Sequence, residues 1–170
     1  MGIPLYGQNK DGNALDKAQN GGYGQEAGAD IADSTDALAM TSADFGKTFM
    51  CLLDGAAKTV TLPVSVAEAD IGKQIKILQQ VPLVASGVLT ISAGTGNTWA
   101  GQSWALGVAI DQFRPAEANN TVVITGANSN SAFGEGSIIT VTVVAAGEYM
   151  IEIDCRALGS GNDAIAFSTV

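Results

Sequence analysis

The chain has 170 residues, two cysteines, no histidine and a formal net charge of −9 from 8 basic and 17 acidic side chains. Without histidine there is no imidazole base for a serine or cysteine triad and no His-Glu-x-x-His zinc site, and acids scattered singly over an anionic chain exclude a nucleic-acid binder. No apolar run approaches the roughly 20 residues of a membrane span or the pattern of a signal peptide, so the sequence predicts a soluble protein made in the cytoplasm, with no membrane partner.

Taken in chain order, residues 1–40 read as an extended arm. They carry seven glycines and only three β-branched residues, Ile3, Ile31 and Thr35, too little apolar surface to offset their own ordering entropy. Two lysines against six acids give the arm a charge of −4. Leu5, Tyr6, Tyr23 and Ile31 stand out in it as anchors for a partner.

Residues 41–170 read as a β domain. Thr41 to Asp44 looks like a capped turn that Gly46 ends, and Ser65 to Ala69 like another before Gly72; neither is long enough to stand alone as a helix. Strands are predicted at Thr48 to Leu53, Thr59 to Leu62, Gln74 to Gln79, Val88 to Ser92, Ser103 to Val108, Thr121 to Thr125, Ile138 to Val144, Glu148 to Cys155 and Ala164 to Phe167. They recur with Gly, Asn and Ser between them, the pattern of an antiparallel β-sandwich or barrel, jelly-roll-like. The clearest pair is 138–144 with 148–155. Ile139, Val141 and Val143 alternate with threonines, and Tyr149, Ile151, Ile153 and Cys155 alternate with Glu148, Met150, Glu152 and Asp154. Ala145-Ala146-Gly147 joins them as a hairpin, and no repeat of fixed period is visible.

The search for chemistry returns little. Cys51 and Cys155 sit in apolar runs and read as small buried hydrophobes. Gly46-Lys47-Thr48 lacks the upstream glycine of a phosphate loop and leads into a strand, and Gly94-Thr95-Gly96 lacks the third glycine of a dinucleotide site. Glu152 and Asp154 share one strand face about 7 Å apart, a spacing open to glycoside hydrolysis but equally that of acids on a solvated face. The Gly159 to Asp163 stretch reads as a polar turn rather than a calcium loop. Trp99 and Trp104, five residues apart, point to opposite faces of a regular strand, one toward the core and one toward a rim or subunit contact. We therefore expect no enzyme, no catalytic residue, no cofactor and no metal.

Thr41-Ser42-Ala43-Asp44-Phe45-Gly46-Lys47-Thr48-Phe49, followed by Val60-Thr61-Leu62-Pro63 and Ile71-Gly72-Lys73-Gln74-Ile75, resembles a pattern of small structural proteins of tailed bacteriophages, notably capsid decoration (cement) proteins and related head or tail fibre domains. The resemblance covers residues 41 to 77. It implies a β domain seated on the outer surface of an assembled head, a virion location, the major capsid protein as partner, a homotrimer, and an N-terminal extension laid along the capsid. The alternative is a carbohydrate- or receptor-binding module of a fibre or tail, which needs aromatic residues gathered on one exposed face.

Overall fold

The computed structural model describes residues 26–28, 30–32, 37–84, 87–101, 103–106, 112–113, 115, 118–126, 133–156 and 164–169. The strands are β1 (Glu26–Ala27), β2 (Leu38–Ala39), β3 (Lys47–Cys51), β4 (Ala57–Thr61), β5 (Gln74–Gln79), β6 (Val88–Ser92), β7 (Thr98–Trp99), β8 (Trp104–Leu106), β9 (Gln112–Phe113), β10 (Thr121–Thr125), β11 (Ile138–Ala145), β12 (Glu148–Asp154) and β13 (Ala164–Ser168). The only helical pieces among the described residues are two single 3₁₀ turns, Ser42–Asp44 and Glu68–Asp70. The protein is all-β and sandwich-like. One sheet runs β1-β3-β5-β11-β12-β8-β9, with β7 also against β12, and the other runs β13-β10-β6-β4-β2.

The two sheets are mixed rather than antiparallel throughout. From β1 to β6 the chain alternates between them, and each strand lies parallel to the strand two before it: β3 on β1 and β5 on β3 in the first sheet, β4 on β2 and β6 on β4 in the second. These six strands form three stacked rungs of a flattened coil. The remainder closes it in antiparallel fashion, with β11 against β5 and β12, and β10 against β6 and β13.

The stacking has a local cause that the sequence repeats. Ala43-Asp44-Phe45-Gly46-Lys47 recurs 26 positions on as Ala69-Asp70-Ile71-Gly72-Lys73. In each copy the aspartate accepts from a backbone N–H three residues earlier, Thr41 at 2.8 Å and Ala67 at 3.0 Å. Each then pairs with the lysine three residues on, Lys47 at 2.8 Å and Lys73 at 2.6 Å. The glycine between them takes positive φ, 83° at Gly46 and 87° at Gly72, a conformation that costs a side-chain-bearing residue about 1–2 kcal/mol. That reversal delivers the chain into β3 and β5 in the same direction. The two copies also touch: the Gly46 N–H donates to Gln74 O at 2.6 Å, and the Lys73 ammonium lies 5.4 Å from the centre of the Phe45 ring.

Alternation supplies the core. Ile75 and Ile77 of β5, Ile139, Val141 and Val143 of β11, and Tyr149, Ile151 and Ile153 of β12 face inward from one sheet; Val60, Leu89, Ile91, Val122 and Ile124 face them from the other. All are buried, and each fully buried aliphatic side chain contributes about 1.5–3 kcal/mol. Ala146-Gly147 closes the β11–β12 hairpin, Gly147 at φ 74°. Cys51 is buried and Cys155 half-buried.

Candidate functional site at the N-terminal end of the stack

Both sheets begin at the same end. β1 is the edge of one and β2 the edge of the other, and the 25 residues before Glu26 lead into the first rung. This rung is woven into the domain, not appended to it. Gly28 N–H donates to Thr48 O at 2.8 Å, Ile31 N–H to Met50 O at 2.8 Å, and Leu52 N–H to Ile31 O at 2.6 Å, so Glu26, Ala27, Gly28 and Ile31 lie along β3. Met40 N–H donates to Thr61 O at 2.8 Å and holds β2 on β4. Ile31 and Met40 are buried in the core. The sequence reading starts the domain at Thr41; the described residues from 26 to 40 belong to its sheets.

Charge is uneven across this end. Residues 1–25 hold Lys10, Lys17, Asp11 and Asp16 and sum to zero. Residues 26–40 hold Glu26, Asp30, Asp33 and Asp36 with no basic residue, so the whole −4 of residues 1–40 comes from this stretch of sequence. Close packing is equally specific there. A side-chain carbon built on Gly28 would fall about 2.5 Å from the Phe49 ring, so the rung lies flat against that ring only because position 28 is glycine.

Of the partner residues expected from sequence, Leu5, Tyr6 and Tyr23 lie outside the described residues. Ile31 is fully buried, forms an isolated parallel bridge with Cys51, and fills this chain's own core. An isolated isoleucine in a polar stretch signals an apolar contact but not whose pocket it fills. Trp99 is 3% exposed, tilted 52° against Tyr149 with ring centres 6.3 Å apart, and belongs to the core of this chain. Trp104 belongs to β8, beside Glu152 in register, and its side chain is outside the described set.

Behind Trp99 is a buried polar knot. The Tyr149 hydroxyl donates to Pro63 O at 2.7 Å, and Asn97 Nδ2 donates to the same carbonyl at 3.2 Å and to Ala93 O at 2.8 Å. Burial, with Asp70 nearby, pushes the Tyr149 phenol far above its ordinary range. These groups tie the β4 exit to β12.

The residues weighed for chemistry are placed as follows. Glu152 is half-buried and Asp154 exposed, on the outer face of β12 opposite Thr140 and Ile138. Lys47 is held by Asp44 and opens β3. The Gly159 to Asp163 stretch is outside the described residues. Among the described residues no three or more Cys, Asp and Glu side chains gather as metal ligands, and no helix is long and apolar enough to cross a membrane. No family model and no curated protein matches the chain.

The sequence reading missed the rung residues Glu26 to Ile31 and Leu38 to Met40. The signal that finds them is the duplicated Ala-Asp-(Phe/Ile)-Gly-Lys. Once two copies are seen to start parallel neighbours, the segment before the first copy is a candidate for one more rung.

Proposed function

We propose that the protein is a non-enzymatic structural protein of a tailed-phage particle, a decoration or cement protein bound to the outside of the head by the N-terminal end of its stack. One observation carries this reading. Both sheets have their first strand at that end, β1 and β2, so the residues N-terminal to Glu26 are joined to a face built from the edges of both sheets. Joining the two makes the second contact effectively intramolecular and raises residence by factors of about 10² or more where the geometry permits.

The resemblance at residues 41 to 77 supports the same reading. Its residues are the two turn-and-strand copies and β4, the parts that set the direction of the stack. Association through three copies on a threefold site of the major capsid protein fits a small domain that gains hold by multivalency. Cryo-electron microscopy of particles carrying the protein tests the proposal. The expected map shows the sandwich on the outer head surface with β1 and β2 toward the shell. Density confined to the tail or fibres, or a domain seated by the β9 and β13 end, contradicts it.

A further inference from the structure

We propose that the bend between β3 and β4 is a self-modifying site, where Asp54 and Gly55 close to a succinimide and reopen in part as isoaspartate. Among the described residues this is the single place where glycine follows an aspartate: Asp30, Asp44, Asp70 and Asp154 are followed by Ile31, Phe45, Ile71 and Cys155. Glycine has no side chain to shield its nitrogen, so the amide can approach a neighbouring carboxyl closely.

The fold sets that nitrogen against the group it attacks. Gly55 N–H donates to Oδ1 of Asp54, so the carboxyl is folded forward over the peptide bond that follows it, and the Asp54 side chain is open to water. The bend is pinned on both sides. Gln79 Nε2 donates to Leu53 O at 2.8 Å, Val84 N–H to Asp54 O at 2.8 Å and Val88 N–H to Ala56 O at 3.0 Å. Fixed flanks keep the two reacting groups together and lower the entropy cost of closing the ring. The duplicated turns show the opposite arrangement: the carboxyls of Asp44 and Asp70 are taken up by the N–H groups of Thr41 and Ala67 and by Lys47 and Lys73.

The chemistry balances without a co-reactant other than water. The Gly55 nitrogen bonds to Asp54 Cγ and gives up its proton, and the carboxyl hydroxyl leaves with that proton as one water, closing a five-membered imide. One water then reopens the ring. Breaking the new N–Cγ bond restores aspartate; breaking the original bond from the nitrogen to the main-chain carbonyl leaves isoaspartate, with the chain running through Cγ and the former carbonyl now a free carboxylate. Mass is unchanged, and the main chain is one methylene longer. Asp54 O holds the Val84 N–H and lies so near Gly87 that a side-chain carbon there would fall 2.3 Å from it, so the added atom loosens the 80–88 connection between β5 and β6. This site is independent of the reading as a decoration protein.

The test incubates the folded full-length protein at neutral pH beside a synthetic peptide of residues 48–58 and follows isoaspartate in both. Trypsin cuts after Lys47 and Lys58 and releases residues 48–58 with Asp54 as their only aspartate; it also releases residues 59–73, whose only aspartate is Asp70. The product is a second chromatographic peak of unchanged mass, told from the parent by electron-transfer fragmentation and by labelling with an L-isoaspartyl methyltransferase. The expected result is conversion at Asp54 in the folded protein at no less than about one tenth of the peptide's rate, because the bend is poised rather than shut away, and faster than at Asp70. Slower conversion at Asp54, or conversion at Asp70 as fast, overturns the inference. Asp54→Glu, whose longer side chain needs a six-membered ring, should lose the peak while keeping the circular dichroism of the parent; persistence of the peak in that variant also overturns it.

Discussion

Tyr149 shows how one residue joins packing to pH behaviour. Its ring packs on Trp99 and its hydroxyl reaches across the sandwich to Pro63 O, so ionising it requires breaking that bond in a buried site beside Asp70. Because the folded-state value is raised, the stabilisation is complete below the ordinary value of about 10 and is lost as pH rises above it, where only the unfolded chain gains the phenolate. Spectrophotometric titration should therefore show a phenolate step that coincides with alkaline unfolding and disappears in Tyr149→Phe. That variant should also lose about 1 kcal/mol at neutral pH, one neutral hydrogen bond, measured by urea unfolding. Asp44 and Asp70 work in the opposite sense. For Asp44 partial burial opposes ionisation, but the hydrogen bond from Lys47 and the Thr41 N–H outweigh it; for Asp70 the Ala67 N–H and then Lys73 act, and both carboxyls lie below their ordinary value of 3.8. Depressed values stabilise above the ordinary value, and the contribution is lost as pH falls through the folded ones. The double variant Asp44→Asn with Asp70→Asn keeps the acceptors and removes the charges. Its melting temperature should fall less between pH 6 and pH 3 than that of the parent, and an equal fall would contradict the role given to these turns.

At the scale of elements, the first rung is the feature whose removal is most informative. Gly28→Ala drives a methyl group into the Phe49 ring and should cost about 1–3 kcal/mol, the range for overpacking, in thermal or urea unfolding. Phe49→Leu in the same chain should recover part of it, whereas a neutral Gly28→Ala would mean that residues 26–31 do not lie against β3. The same elements show what the sequence made legible. Gln74–Gln79, Val88–Ser92 and Thr121–Thr125 were readable to the residue, because each is a short run rich in β-branched and other apolar residues bounded by turn residues. The hairpin of β11 and β12 was equally plain. Two-residue strands such as β1, β2 and β7 are too short to alternate, and their pairing comes from the neighbour they lie on. Parallel order was hidden for a related reason: regular spacing of short strands is common to hairpins and coils, and direction is set by the Gly46 and Gly72 reversals. Of the candidate site, the leader was legible as a separate material. Its junction with the domain was not, because Ile31 and Met40 stand in short stretches without a strand's alternation, and their burial depends on β3 and β4.

For the whole molecule, these contacts put residues 26–28, 31 and 38–40 inside the domain. A chain lacking residues 2–25 should fold with the β11 and β12 core intact. A chain lacking residues 2–40 loses both edge strands and the buried Ile31 and Met40, and at about 2–5 kcal/mol for a single large buried side chain it should be severely destabilised or unfolded by circular dichroism. Equal melting of the two truncations would return residues 26–40 to the role of a detachable arm. The central claim, that the N-terminal end of the stack is the attachment face of a decoration protein, is tested most directly by cosedimentation with purified heads stripped of the protein. Full-length chain and the chain lacking residues 2–25, each shown to be folded, are compared at equal concentration. The account predicts saturable binding of the full chain and at least a 100-fold loss of affinity on truncation, the scale of a lost linked contact. Undiminished binding of the truncated chain, or no binding of the full chain, would contradict it.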